Sequence, residues 1–194
     1  MDPVNQIRLR QRRQYTRRFL RNLAVLLSLL AGLWQRVGAA DEQSLEYQVK
    51  AAFLLNFAKF TEWPSSAFRS ADAPLSICIL GDDPFDGVLD QMIRGEAING
   101  RKLAVLQIKR QPRPQTCQVL FMGKTQKDIR RTLADLGSGV LTVGEEESFL
   151  REGGMITFVI ENRRTRFDVN PAAADSAGLK LSSKLLSVAR TVKK

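Results

Sequence analysis

The chain contains no histidine. That absence removes the commonest general base, the usual zinc ligand and the side chain that changes charge near neutral pH. Cysteine is nearly absent too, with Cys78 and Cys117 the only two, so no Cys–His nucleophile can be assembled. No apolar run reaches the roughly 20 residues of a membrane-spanning helix. The longest, "LAVLLSLLAGLW" (Leu23–Trp34), stops at about a dozen residues. Aromatic residues are sparse at 7%, yet of ten phenylalanines three fall within "KAAFLLNFAKFTEWP" (Lys50–Pro64). Local enrichment of that kind marks a helix with more apolar surface than one face of a core needs.

The short apolar run has a context. Arg8, Arg10, Arg12, Arg13, Arg17, Arg18 and Arg21 precede it, and the small residues "VGAA" (Val37–Ala40) follow. Together these read as a secretory signal peptide over residues 1–40, cleaved near Ala39 or Ala40, with an uncleaved anchor as the alternative. "TRRFLR" (Thr16–Arg21) hints at a twin-arginine signal but lacks the usual spacer, so the export route stays open between Sec and twin-arginine. The leader also carries the basic excess. Residues 1–40 hold eight Arg and one Asp, so the formal charge of +10 falls to +3 once they are set aside (22 basic against 19 acidic). A nucleic-acid binder loses its main support at that charge. Residues 41–194 suffice for one domain with its own core. In an oxidising compartment an even pair of cysteines points to a disulfide, Cys78–Cys117. Its loop of about 40 residues corresponds to roughly 4 kcal/mol in the chain-entropy model.

Past the leader, Asp41 or Ser44 can cap a helix that runs to about Phe60 and stops before Pro64. At 100° per residue Leu45, Val49, Ala52, Phe53 and Phe60 share one side, which predicts a core face with Asn56 in its middle. Phe57, Phe60 and Trp63 are then the candidates for a partner groove. "LSICIL", "KLAVLQIK", "CQVLFMG" and "GVLTVG" read as apolar strands. "FDGVLDQMIRG", "KTQKDIRRTLADLG" and "EESFLREGG" between them read as helices. "MITFVIENRRTRFDVN" reads as an antiparallel hairpin, and "PAAADSAGLKLSSKLLSVART" as terminal helices broken at Gly178. Strands that alternate with helices predict an α/β single-domain sandwich, with a mainly parallel sheet, helices on both faces and the hairpin along one edge.

Chemical motifs fail one by one. "MGKT" (Met122–Thr125) ends like a P-loop, but the first glycine of that motif would have to stand where Gln118 does. "SSK" (Ser182–Lys184) misses the S-x-x-K spacing. "EEE" (Glu145–Glu147) fits helix-opening charges better than a metal site. No catalytic residue, metal site or cofactor is expected. "GDDP" holds Gly81, Asp82 and Asp83 where open α/β sheets bind ligands, although capping of the next helix accounts for the same residues. Arg163, Arg164 and Arg166 cluster at the hairpin turn, as a solvated turn or as a contact for an acidic partner.

Taken in order, "YQVKAAFLLNFAKFTEWP", "ICILGDDPF", "LFMG", "GVLTVGEEESFLREGGMITFVIENRRTRFDVN" and "GLKLSSKLL" resemble the YfiR family of periplasmic proteins, the domain family DUF4154. The resemblance implies a compact α/β fold and a regulatory rather than enzymatic role. It implies binding to the periplasmic domain of an inner-membrane diguanylate cyclase, which keeps cyclic-di-GMP synthesis and biofilm signalling low. An OmpA-like outer-membrane lipoprotein would sequester the repressor and release the cyclase. Cys78 and Cys117 correspond to a disulfide position of the family; the second pair found in its founding type is missing. Self-association into a homodimer is left open. A periplasmic small-ligand binding module, using the crevice at Gly81, Asp82 and Asp83, is the alternative.

Overall fold

"LSICIL" is buried at all six positions as strand β2 (Leu75–Leu80). A strand apolar on both faces must be covered on both faces, and that requirement organises the fold. In the computed structural model, which describes residues 42–126 and 128–193, a helix α1 (residues 42–59) leads into strand β1 (Thr61–Glu62) and then β2. There follow α2 (Val88–Ile93), β3 (Ala97–Ile98), β4 (Arg101–Ile108), β5 (Val119–Met122), α3 (Ile129–Ala134) and β6 (Leu141–Gly144). The chain ends through β7 (Ile156–Glu161), β8 (Arg164–Val169), α4 (Pro171–Ser176), β9 (Lys180–Leu181), α5 (Ser183–Val188) and β10 (Thr191–Val192). The signal-peptide expectation and the Asp41 cap lie outside the described residues.

Eight strands form one sheet in the order β10-β8-β7-β6-β5-β2-β4-β3, while β1 and β9 pair separately. β4, β2, β5, β6 and β7 run parallel. The β7–β8 hairpin is antiparallel, and the two-residue β10 lies outside it. The chain therefore crosses from β2 to β4 on one side and returns to β5 on the other. The order reverses between β2 and β5. One face of the sheet (Ile77, Ile79, Phe121, Val143, Phe158, Phe167) packs against Leu54 and Phe57 of α1, with Ala174 of α4 and Leu185 of α5 in the same cluster. The other (Cys78, Leu80, Leu120, Met122) packs with Ile129 of α3 and Phe149.

Three local expectations are corrected. The helix expected over 124–137 begins only at Ile129, after Asp128 in a left-handed conformation (φ 57°). "EESFLREGG" forms consecutive turns, not a helix. Phe149 explains this: its ring is fully buried against Gly144 and Gly154, where any Cβ would collide with it. A regular helix would not fold the chain back tightly enough to bring both glycines onto one ring. α1 is also turned from its expected orientation. It buries Lys50, Ala51, Leu54, Phe57 and Ala58, while Leu45, Val49, Asn56 and Phe60 are exposed. A helix apolar on nearly every side has no periodicity strong enough to choose its own buried face.

Cys78 in β2 and Cys117 just before β5 form a disulfide, with Cα atoms 5.7 Å apart. The neighbouring strands supply the spacing that the bond requires. Replacing both cysteines by Ala should lower stability by about 2–4 kcal/mol, measured by urea denaturation. Labelling of the unfolded, unreduced wild-type chain should find no free thiol. Two reactive thiols per chain would contradict the bond.

Candidate partner interface

The hairpin turn is Asn162–Arg163, with both residues at positive φ (51° and 58°) and Glu161 opposite Arg164. Two left-handed residues make the turn whose twist matches that of the strands. Alternation then sorts the side chains. Phe158 and Phe167 point into the core, with ring centroids 5.7 and 4.9 Å from that of Phe57. Ile160 stands on the same side, two residues further out, and is 50% exposed. Arg164, Arg166 and Asp168 take the opposite face. β6 pairs with β7 only at Ile156 and Thr157, so the hairpin runs on past the end of β6.

Charge at the hairpin is uneven. Arg190 donates to both oxygens of Asp168, with Nε–Oδ1 2.8 Å, and lies 3.5 Å from Glu161. The Asp168 contact holds the Arg190 guanidinium above its ordinary pKa. Arg163, Arg164 and Arg166 are exposed and have no ion pair among the described residues. The tip is thus cationic on the face of Arg164 and Arg166, with Ile160 exposed on the other face.

Beneath the hairpin lies a cluster the sequence reading missed. Lys50 of α1 donates to Glu145, which directly follows β6, and to Glu46; the Lys50 and Glu145 side chains are each only 1% exposed. Tyr47 Oη donates to Glu145 Oε2 at 3.3 Å, and the Lys124 N–H donates to the same oxygen at 3.3 Å. Burial, then the Glu145 charge, hold the Tyr47 hydroxyl well above its ordinary pKa, so it remains a donor at neutral pH. Lys50 also lies 4.5 Å from the Tyr47 ring centroid. The position of Glu145 at the end of a parallel strand was the available signal. Local composition points instead to the start of a helix, which does not form.

The structure separates the residues expected to form one contact. α1 runs against the parallel strands: Lys50 meets Glu145 past the end of β6, whereas Trp63 Nε1 donates to Gln118 O before β5, at 3.2 Å. Phe60, 37% exposed, and half-buried Trp63 therefore lie at the opposite end of the sheet from Arg163, Arg164 and Arg166. Phe57 is 1% exposed, which corrects its assignment as a partner contact. It is held by the aromatic residues of β7 and β8.

Two side-chain amides bond to the backbone at the strand-end crevice. Gln126 Nε2 donates to Leu80 O and Gln107 Nε2 to Gly81 O, both at 2.9 Å. A Cβ on Gly81 would run into Gln126 Nε2. Asp83 Oδ1 accepts from the Phe85 N–H at 2.8 Å. Asp82 is exposed beside it. Among the described residues no group of three or more His, Cys, Asp or Glu is placed to hold a metal, and no helix is long and apolar enough to cross a membrane.

The chain matches a family described as YfiR/HmsC-like over residues 47–190. Among solved structures, a conserved domain protein from Vibrio cholerae O1 biovar El Tor is similar at 12% identity and a TM-score of 0.41. That match covers 61% of this chain and 54% of the other, so the chain spans about half the length of that protein. No curated protein matches.

Proposed function

Because the chain belongs to the YfiR/HmsC-like family, matched across residues 47–190, we propose that it is an exported, non-catalytic repressor acting by protein–protein contact. Its partner is the periplasmic domain of an inner-membrane diguanylate cyclase, whose output it holds low. An OmpA-like outer-membrane lipoprotein is the competing partner that withdraws it. One observation carries the choice of surface: the projecting hairpin presents exposed Ile160 on one face and Arg164 and Arg166 on the other, with Arg163 at the turn and none of the three arginines in an ion pair among the described residues. A hairpin that is apolar on one face and cationic on the other suits a partner cleft with an apolar wall and an acidic wall.

Ile160→Asp and Arg166→Glu should each weaken binding to the cyclase domain by about 10- to 30-fold, the effect of losing a contact of ~1.4–2 kcal/mol. Cellular cyclic-di-GMP should rise in step. Melting temperature should hardly move, since both side chains are exposed. Protein recovered from the periplasm should have an intact mass that begins after Ala39 or Ala40. Undiminished binding by both variants would move the interface elsewhere, first to the end of the sheet that carries Phe60. A full-length membrane-bound product would contradict export with cleavage.

A further inference from the structure

β4 is the longest strand, and most of its outer edge is bare. β3 pairs with it only at Arg101 and Lys102, and the Leu103 N–H still reaches Glu96 O at 3.3 Å. Beyond that point no strand lies outside β4 among the described residues. One hydrogen bond settles which backbone groups face out. The Gly81 N–H donates to Ile108 O at 2.8 Å, so Ile108 turns towards β2. The two-residue repeat turns Leu106 and Ala104 the same way. Val105 and Gln107 therefore direct their N–H and C=O outwards, with the Leu103 C=O beside them, and no backbone partner meets these groups among the described residues.

We propose that this edge accepts an extended segment of another protein as an added strand, apolar in the middle and acidic at its ends. The side chains define both features. "LAVL" (Leu103–Leu106) is uncharged, and Leu106 is 37% exposed. Lys102 flanks it on one side and Lys109 and Arg110 on the other; all three are exposed and without an ion pair among the described residues. At the second end the Asp83 carboxylate is engaged with the Phe85 N–H. A second copy of the chain is the wrong occupant. Laid antiparallel about Val105, it would bring Arg101 and Lys102 of each copy, whose outer side β3 already occupies, up to Lys109 of the other, and like charges brought together destabilise a pair. Edge lysines commonly prevent self-pairing in this way. An acidic-ended strand converts the same charges into attraction, while backbone hydrogen bonds supply the pairing. The hairpin lies at the other edge of the sheet. This surface neither overlaps the proposed cyclase contact nor depends on it.

The test uses the purified protein and a capped, fluorescently labelled peptide, Asp-Asp-Val-Thr-Val-Thr-Val-Glu-Glu. The peptide should bind and slow amide exchange at Val105 and Gln107. A Lys-ended version should bind at least about tenfold more weakly, and so should the acidic peptide to Val105→Pro. Proline at 105 removes an N–H that the fold does not use, so circular dichroism should show the same fold, with melting lowered only by the loss of the Val105 side chain's packing against the core. If Val105→Pro does not fold, the acidic peptide N-methylated at alternate residues replaces it, with the same loss expected. Three results would overturn the proposal: no binding of the acidic peptide, binding undiminished by Val105→Pro or by methylation, or a wild-type dimer that Val105→Pro dissociates.

Discussion

Phe57→Ala should lower the free energy of unfolding by about 3–5 kcal/mol, the range for emptying a buried aromatic site. The ring is 1% exposed and lies 4.9, 5.7 and 5.9 Å from the centroids of Phe167, Phe158 and Phe53. Those neighbours sit on β7, β8 and α1, so the cavity cannot close without moving the hairpin. Phe53→Ala should cost distinctly less, because Phe53 is only partly buried and solvent can fill the space its ring leaves. Urea denaturation of both variants decides the order. A larger loss at Phe53 would mean that α1 is rotated from the orientation described above.

Lys50→Met should cost a similar amount, about 3–5 kcal/mol, for a different reason. Removing one member of a buried ion pair leaves the other charge desolvated and uncompensated. Here the stranded group is Glu145, whose side chain is 1% exposed. The expected rescue is specific. In Lys50→Met/Glu145→Gln the second change removes the orphaned charge yet keeps an acceptor for Tyr47 and for the Lys124 N–H, so a substantial part of the loss should return. A cost under about 1 kcal/mol for Lys50→Met would place the pair with ordinary surface salt bridges. No recovery in the double variant would show that the lysine contributes through packing of its aliphatic stem.

The extent to which this protein could be read from its residues differs by element. β2 was legible to the residue, because an apolar β-rich run between turn signals has one good solution. Gly178 was legible as a break because glycine commonly ends helices, and in the structure it takes φ +75° after α4. The segment after β6 was misread for a physical reason. "EESFLREGG" has helical composition, but Phe149 gains more by burying its ring against Gly144 and Gly154, and neither that contact nor its depth can be seen locally. Lys50 and Glu145 were invisible as a pair because 95 residues separate them. Each taken alone looks like a surface charge.

The sequence by itself determined the class of fold, the positions of the longer strands, the disulfide partners and the family resemblance, but not the two-residue strands β1, β3, β9 and β10. Each depends on local pattern or on an ordered set of motifs, and both are present in the chain before it folds. Only the tertiary structure decided which way the apolar helix turns, and therefore that Phe57 is core while Ile160 is surface. It also decided that Gln126 bonds to Leu80 O at the strand-end crevice and that Val105 and Gln107 face outwards on a bare edge. These outcomes depend on contacts between segments distant in the chain. Residue type sets what a side chain can do, and the neighbours brought by the fold determine whether it is buried, paired or available.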